Sequence, residues 1–337
     1  MWMIDNQSPF GAERNWFLDK NGEQHWVVAV RGAFDIKPDG STKVAEKQEK
    51  PLFLPIYRGE MAISSLIYEF ELSGPKTGTD VILNGHAYAP PGKTVTETKV
   101  RLKLHTIDKT LNVIGDRKWE RGAIGPSLAS PVPFAKMPII YERAYGGWDN
   151  TNPDPRQQKI EPSNPVGTGV AVRGEHLIGK IAPNVELPGH GFSLSKSPPP
   201  AGFGAIPTHW SPRREFAGTF DAAWQKDRAP LWPADFDDRY YQFAPADQQI
   251  KGFLLGGERV ELTNLTPGGL LAFALPKAYL TFTTSFGPKS EEHRANLHTV
   301  ILEPDVPRVI MVWWTRLSCH HRADYLDKTT IEEKPYQ

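Results

Sequence analysis

Residues 95–106 read VTETKVRLKLHT. From Lys99 onward the side chains alternate, with Val100, Leu102 and Leu104 set against Lys99, Arg101, Lys103 and His105. A period of two places successive side chains on opposite faces of a strand, so this stretch predicts a strand with one buried and one wet face. Working outward, residues 63–72, 80–88 and 111–119 also predict strands, parted by Gly74-Pro75, Ala89-Pro90-Pro91-Gly92 and Ile107-Asp108-Lys109, and LNVIGDRKW is expected to pair back as a hairpin. Residues 25–36 (HWVVAVRGAFDI) form a valine- and aromatic-rich run that ends in Lys37-Pro38-Asp39-Gly40, a turn signal. Five more runs follow near the other end, at 259–264, 270–275, 279–285, 298–303 and 308–317. The fold class predicted is mainly β.

At 337 residues the chain exceeds what one small core serves, and its hydrophobic share of 39% is enough to build a larger one. Lys plus Arg equals Asp plus Glu at 39 each. No net field exists to attract a phosphate backbone, so nucleic acid is not expected as a partner. The longest purely apolar run, residues 309–314, falls far short of the roughly 20 residues that span a bilayer. The first five residues, Met-Trp-Met-Ile-Asp, have neither the basic nor the apolar region of a secretory signal, and Cys319 has no second cysteine to pair with. A reducing cytoplasm is the expected compartment.

The middle of the chain differs. Residues 122–233 hold 17 of the 31 prolines, yet they include Phe134, Tyr141, Tyr145, Trp148, Phe192, Phe203, Trp210 and Trp224. A disordered linker is poor in such residues. An ordered, loop-rich region over a β scaffold is therefore expected, with one short helix near residues 219–227. The predicted organisation is a β lobe over 1–121, a loop-rich centre over 122–250, a second β lobe over 251–326 and a flexible tail over 327–337, the lobes being sandwich-like. Residues 217–245 (AGTFDAAWQKDRAPLWPADFDDRYYQFAP) are the densest aromatic and acidic stretch. Its shape can hold only if the aromatics are buried and the carboxylates find donors.

A search for chemistry leaves little standing. Neither a phosphate loop nor a nucleophile elbow is present, and Gly167-Thr168-Gly169 lacks the third glycine of a dinucleotide fingerprint. Cys319 neighbours His320 and His321, but adjacent strand residues face opposite ways, so a packing cysteine is the preferred reading. His293 and His298 have no companion cysteine motif, and no metal or cofactor is expected. Asp221, Asp227, Asp235, Asp237 and Asp238 beside Trp224, Trp232, Tyr240 and Tyr241 have the residue types of a glycoside hydrolase. They equally have those of an ion-paired loop, with Arg228 and Arg239 at hand, and no spacing singles out an acid–base pair.

The ordered series GDRKW (115–119), PFAKMPIIYERAYGG (133–147), NPVGTG (164–169), IAPNVELP (181–188), PAGFGAI with W-x-P-R (200–213), AGTFDAAW (217–224) and PADFDDRYYQFAPADQQ (233–249) resembles a bacterial family first recorded as a domain of unknown function. Genes of that family lie beside those of type VI secretion systems, near PAAR-repeat and VgrG spike proteins and their effectors. The resemblance implies a non-enzymatic adaptor or chaperone that binds an effector in the cytoplasm and helps load it onto the PAAR/VgrG spike. The alternatives are a carbohydrate-active enzyme using the central Asp/Trp cluster and a structural component of the spike assembly. No catalytic residue is implied. The motif residues Arg117, Trp119, Arg143, Gly147, Asp221, Trp224, Asp235, Phe236 and Asp237 are expected to build the fold. The aromatics Trp148, Trp232, Tyr240 and Tyr241 are the expected partner contacts, since interface hot spots favour Trp and Tyr.

Overall fold

The longest strand of the chain, Gln24–Ile36, is buried along nearly its whole length. It lies between Gly11–Leu18 and Arg308–Ser318 in a seven-stranded sheet whose order continues through Asn296–Glu303 and Gly78–Leu83 to Gln249–Lys251. Only Gly78–Leu83 and Asn296–Glu303 pair parallel along this path. This computed structural model describes residues 2–123, 125–191, 197–319 and 323–334; Phe192, His320, His321 and the last three residues of the expected tail lie outside them.

Two faces of the central sheet are covered, which explains its continuous apolar runs. On one face Val28, Val30, Phe34, Val81, Leu83, Val300, Leu302, Met311 and Trp313 enter the main core. Across that core stands a five-stranded sheet containing Glu97–Leu104, Ile107–Ile114 and Arg259–Thr263, which contributes Val100, Leu102, Leu104, Leu111 and Leu262. A four-stranded sheet of Met3–Asn6, Leu326–Lys334, Tyr279–Phe286 and Lys289–Arg294 adds Leu280, Phe282 and Ile331 to the same core. On the opposite face, Ala33, Ile82, Ile301, Ile310 and Val312 meet Leu66 of the short strand Leu66–Tyr68 and Ala205, Phe243 and Ala244 from the irregular middle. Losing a buried ring such as Trp313 to Ala would cost about 3–5 kcal/mol.

The protein is mainly β, as its alternation requires, and its sheets stack in a sandwich-like way. The sheets do not divide at the predicted boundaries, however. Both the central and the five-stranded sheet draw strands from each end of the chain, so the ends interleave instead of forming separate lobes. Residues 327–334, expected to fray, belong to the strand Leu326–Lys334, which pairs with Tyr279–Phe286 on one side and Met3–Asn6 on the other. Thr329, fully buried, accepts a hydrogen bond from the Trp26 indole at 2.8 Å, and that anchor is what the polar sequence concealed. The expected helix is Ala222–Asp227. Among the described residues no helix is long and apolar enough to cross a membrane.

Two histidines are built in as neutral rings. His293 lies between the hydroxyls of Thr284 and Thr315, each 2.8 Å away, and burial lowers its pKa to about 4. His298 is sandwiched between Phe253 and Trp314, and burial, with Lys76 nearby, holds it well below its ordinary value. Above pH 6.5 both rings are neutral whether folded or unfolded. As pH falls through 6.5 toward 4 the unfolded chain takes up protons that the fold refuses, and stability drops. For His293 the loss is limited to about 3 kcal/mol. Thermal melts of the wild type and His293→Gln between pH 7.5 and 4 should show a shallower decline in the variant; equal slopes would refute this account.

Candidate interaction surface

Residues 217–245 form an aromatic layer laid over the hairpin Gly11–Ile36. Trp232 packs on Phe236 at 4.5 Å and on Tyr240 at 5.5 Å, while Phe220 meets Trp224 edge-on at 4.8 Å. Phe236 and Tyr241 are buried, at 3% and 8% exposure, and Trp232 and Tyr240 are half-buried. Tyr241 is thus no surface anchor: its ring lies where a side chain on Gly74 would have to go, and that packing accounts for its burial.

Every motif carboxylate here has a local donor. Asp221 caps the helix Ala222–Asp227 through the Trp224 N–H at 2.8 Å. Asp235 accepts from the Thr219 N–H and hydroxyl, and these bonds lower its pKa. Asp237 accepts from the Arg239 backbone and takes its guanidinium at 2.9 and 2.6 Å. Arg213, buried beneath, binds Glu69, donates to the Tyr240 and Ile206 carbonyls at 2.8 Å, and so pins the layer to the scaffold. Between the layer and the central sheet lies a cavity of about 270 Å³, walled by Phe17, Phe70, Leu72, Trp232, Tyr240 and Tyr241. A second, of about 350 Å³, lies beyond Arg213 against Tyr141 and Phe216.

Trp148 is presented differently. It pairs with Ile160 across the ribbon formed by Trp148–Asp149 and Lys159–Ile160, which puts both side chains on one face; they are 55% and 49% exposed. The frame beneath is rigid. Gly147 has φ +100°, and a side chain there would meet the Gly167 carbonyl at 2.4 Å, so only glycine fits. Asn164, fully buried, donates to the Tyr141 and Tyr145 carbonyls. Asp149, buried beside Trp148, accepts from the Val172 N–H at 2.8 Å, His176 at 2.6 Å and the Thr151 hydroxyl at 2.7 Å. Burial alone would raise its pKa, but these donors hold the carboxyl well below the usual range.

The remaining motif residues make their contacts within the fold. Arg117 bonds Glu186 at 2.6 Å and the Pro183 carbonyl, Arg143 bonds Asp116 and Asn184, and Trp119 is buried against Leu177 and Ala182. Cys319 is fully buried and its thiol is pushed up by burial, the reverse of an activated thiolate.

A family model described as an uncharacterized protein conserved in bacteria (DUF2169) matches residues 21–314. The chain belongs to that family. No curated protein and no solved structure matches it. The matched span includes Gly147, Trp148 and the whole aromatic layer, so both surfaces lie within the family's extent.

Gly147→Ala is expected to lower the melting temperature clearly, since strain of this kind costs about 1–3 kcal/mol before the clash is counted. Trp148→Ala, at an exposed position, should leave it within the scatter of surface substitutions. Asp235→Asn and Asp237→Asn should both lower stability, for Asp237 by at most about 1 kcal/mol through the lost ion pair with Arg239, since an Asn oxygen still caps the turn. Loss of a measurable turnover in either Asn variant at unchanged stability would assign that aspartate to chemistry instead.

Proposed function

We propose that this protein is a non-enzymatic adaptor that seats a protein partner on the Trp148 platform. The observation that supports this most directly is a tryptophan more than half exposed on a frame whose neighbouring position, Gly147, admits only glycine. A rigid exposed indole loses little conformational entropy when a partner covers it, which is why tryptophan recurs at binding hot spots. Ile160, and Val172 just beyond the Asp149 anchor, extend the apolar surface. Half-buried Trp232 and Tyr240 offer a second, softer contact over the smaller cavity.

The finer reading is that of the type VI secretion accessory proteins whose motifs this chain resembles. It holds a type VI effector in the cytoplasm and helps mount it on a PAAR-repeat or VgrG protein, with no nucleic acid or membrane as partner. The engagement of Asp221, Asp235 and Asp237 by local donors favours this over a carbohydrate-active enzyme, which needs acids free to exchange protons. Tagged protein from the native host would be tested for capture of effector, PAAR and VgrG proteins. Trp148→Ala should cut affinity for the captured partner about thirtyfold, the effect of losing roughly 2 kcal/mol, at an unchanged melting temperature. Undiminished capture would remove the platform from the account, and turnover of a glycan library would remove the adaptor reading itself.

A further inference from the structure

The turn between Gly11–Leu18 and Gln24–Ile36 gathers three side chains whose ligating atoms lie within 4.8 Å of one another: Asp19, Glu23 and His25. Each is held by one part and free at another. Asp19 uses Oδ1 to accept the Asn21 and Glu23 N–H groups at 2.8 and 2.9 Å, leaving Oδ2. Glu23 uses Oε1 to accept the Ser318 hydroxyl, leaving Oε2. The His25 ring, 5% exposed, is stacked on Phe17 at 5.3 Å. Its Nε2 points between the two remaining oxygens, 3.5 Å from Asp19 and 3.8 Å from Glu23.

Those distances are too long for good N–H···O bonds, which fall near 2.9 Å. They match the edges of a metal coordination shell, since ligands about 2.1 Å from a tetrahedral ion stand ~3.4 Å apart. His25 Nδ1 has no partner, so the buried ring makes no close hydrogen bond through either nitrogen. Among the described residues neither carboxylate has a lysine or arginine partner. Two acids facing one buried imidazole without a cation is an arrangement that a divalent ion completes.

The geometry points to a site for one divalent transition-metal ion, zinc in the first instance, bound by Asp19 Oδ2, Glu23 Oε2 and His25 Nε2 with water in the open position. The imidazole favours zinc over magnesium, which prefers an all-oxygen shell. The ion would act structurally. Lys20, within the same turn, accepts a bond from Arg228 through its carbonyl and donates to the Phe236 carbonyl at 3.3 Å, so fixing the turn also fixes the aromatic layer above it.

Chelator-treated protein would be titrated with zinc by calorimetry, with magnesium as a control, and its melting temperature recorded with and without zinc. Saturable binding of one zinc per chain and a higher melting temperature are expected. Asp19→Asn and Glu23→Gln keep an acceptor for the anchoring donors, and each should weaken binding at least tenfold. X-ray absorption of the zinc-loaded wild type should show nitrogen and oxygen donors with a single imidazole, a readout that stands even if a variant folds poorly. No saturable binding, binding unchanged in both variants, or a shell of several imidazoles would overturn the assignment.

Discussion

One buried carboxylate, Asp80, holds the layers of this protein together. It is fully buried on the central strand Gly78–Leu83, where it takes the Lys76 ammonium at 2.6 Å and the Phe243 N–H at 2.9 Å. Lys76 also donates to Thr299 and sits 3.6 Å from the centre of the Phe243 ring. Burial pushes the Lys76 pKa down and Asp80 opposes that shift. One ion pair thereby joins the central sheet to the end of the aromatic stretch. Removing one partner of such a pair typically costs about 3–5 kcal/mol, because the other charge is left buried. Arg31 with Glu71 and Arg213 with Glu69 repeat the device on the same face. A loop-rich layer with little regular backbone pairing is held by such specific polar contacts, and rigid loops are what a display surface requires.

The architecture was legible where a strand had one wet face. Val100, Leu102 and Leu104 alternate with charges because the five-stranded sheet faces solvent on its far side. The unbroken run around Val27–Val30 and that of residues 309–314 mark a sheet buried on both faces, a distinction the sequence carries in its period. Local turn chemistry misled in one place. Ile107-Asp108-Lys109 looked like a breaker, yet the reversal occurs at His105, with φ +53°, and Ile107–Ile114 is already strand. Lys289–Arg294 went unseen because an exposed edge strand needs no apolar residues.

The candidate sites divide along the same line. Carboxylates such as Asp221 and Asp237 could be recognised as loop-builders, since aspartate before a short helical turn is an N-cap. Burial could not be read in the same way: Trp148 and Tyr241 are both aromatic residues in loop-rich sequence, and only packing against Gly74 separates the second from the first. Asp19, Glu23 and His25 are close in sequence, but their free atoms converge only through the hairpin and the distant Ser318.

The interleaving of the central sheet also governs how the molecule comes into being. Asp35 bonds Arg308 across 273 positions, so the strand Gln24–Ile36 must wait for nearly the whole chain before its inner edge is paired. Contacts of such long range make folding slow, because loop closure is lost to entropy before burial returns anything. During that interval a valine-rich strand with two apolar faces stands open to the wrong neighbour, which is a hazard of self-association during synthesis. Neither half of the chain contains a finished central sheet, and cutting the protein in two would part Gln24–Ile36 from Arg308–Ser318 and leave two incomplete sets of strands in place of two domains.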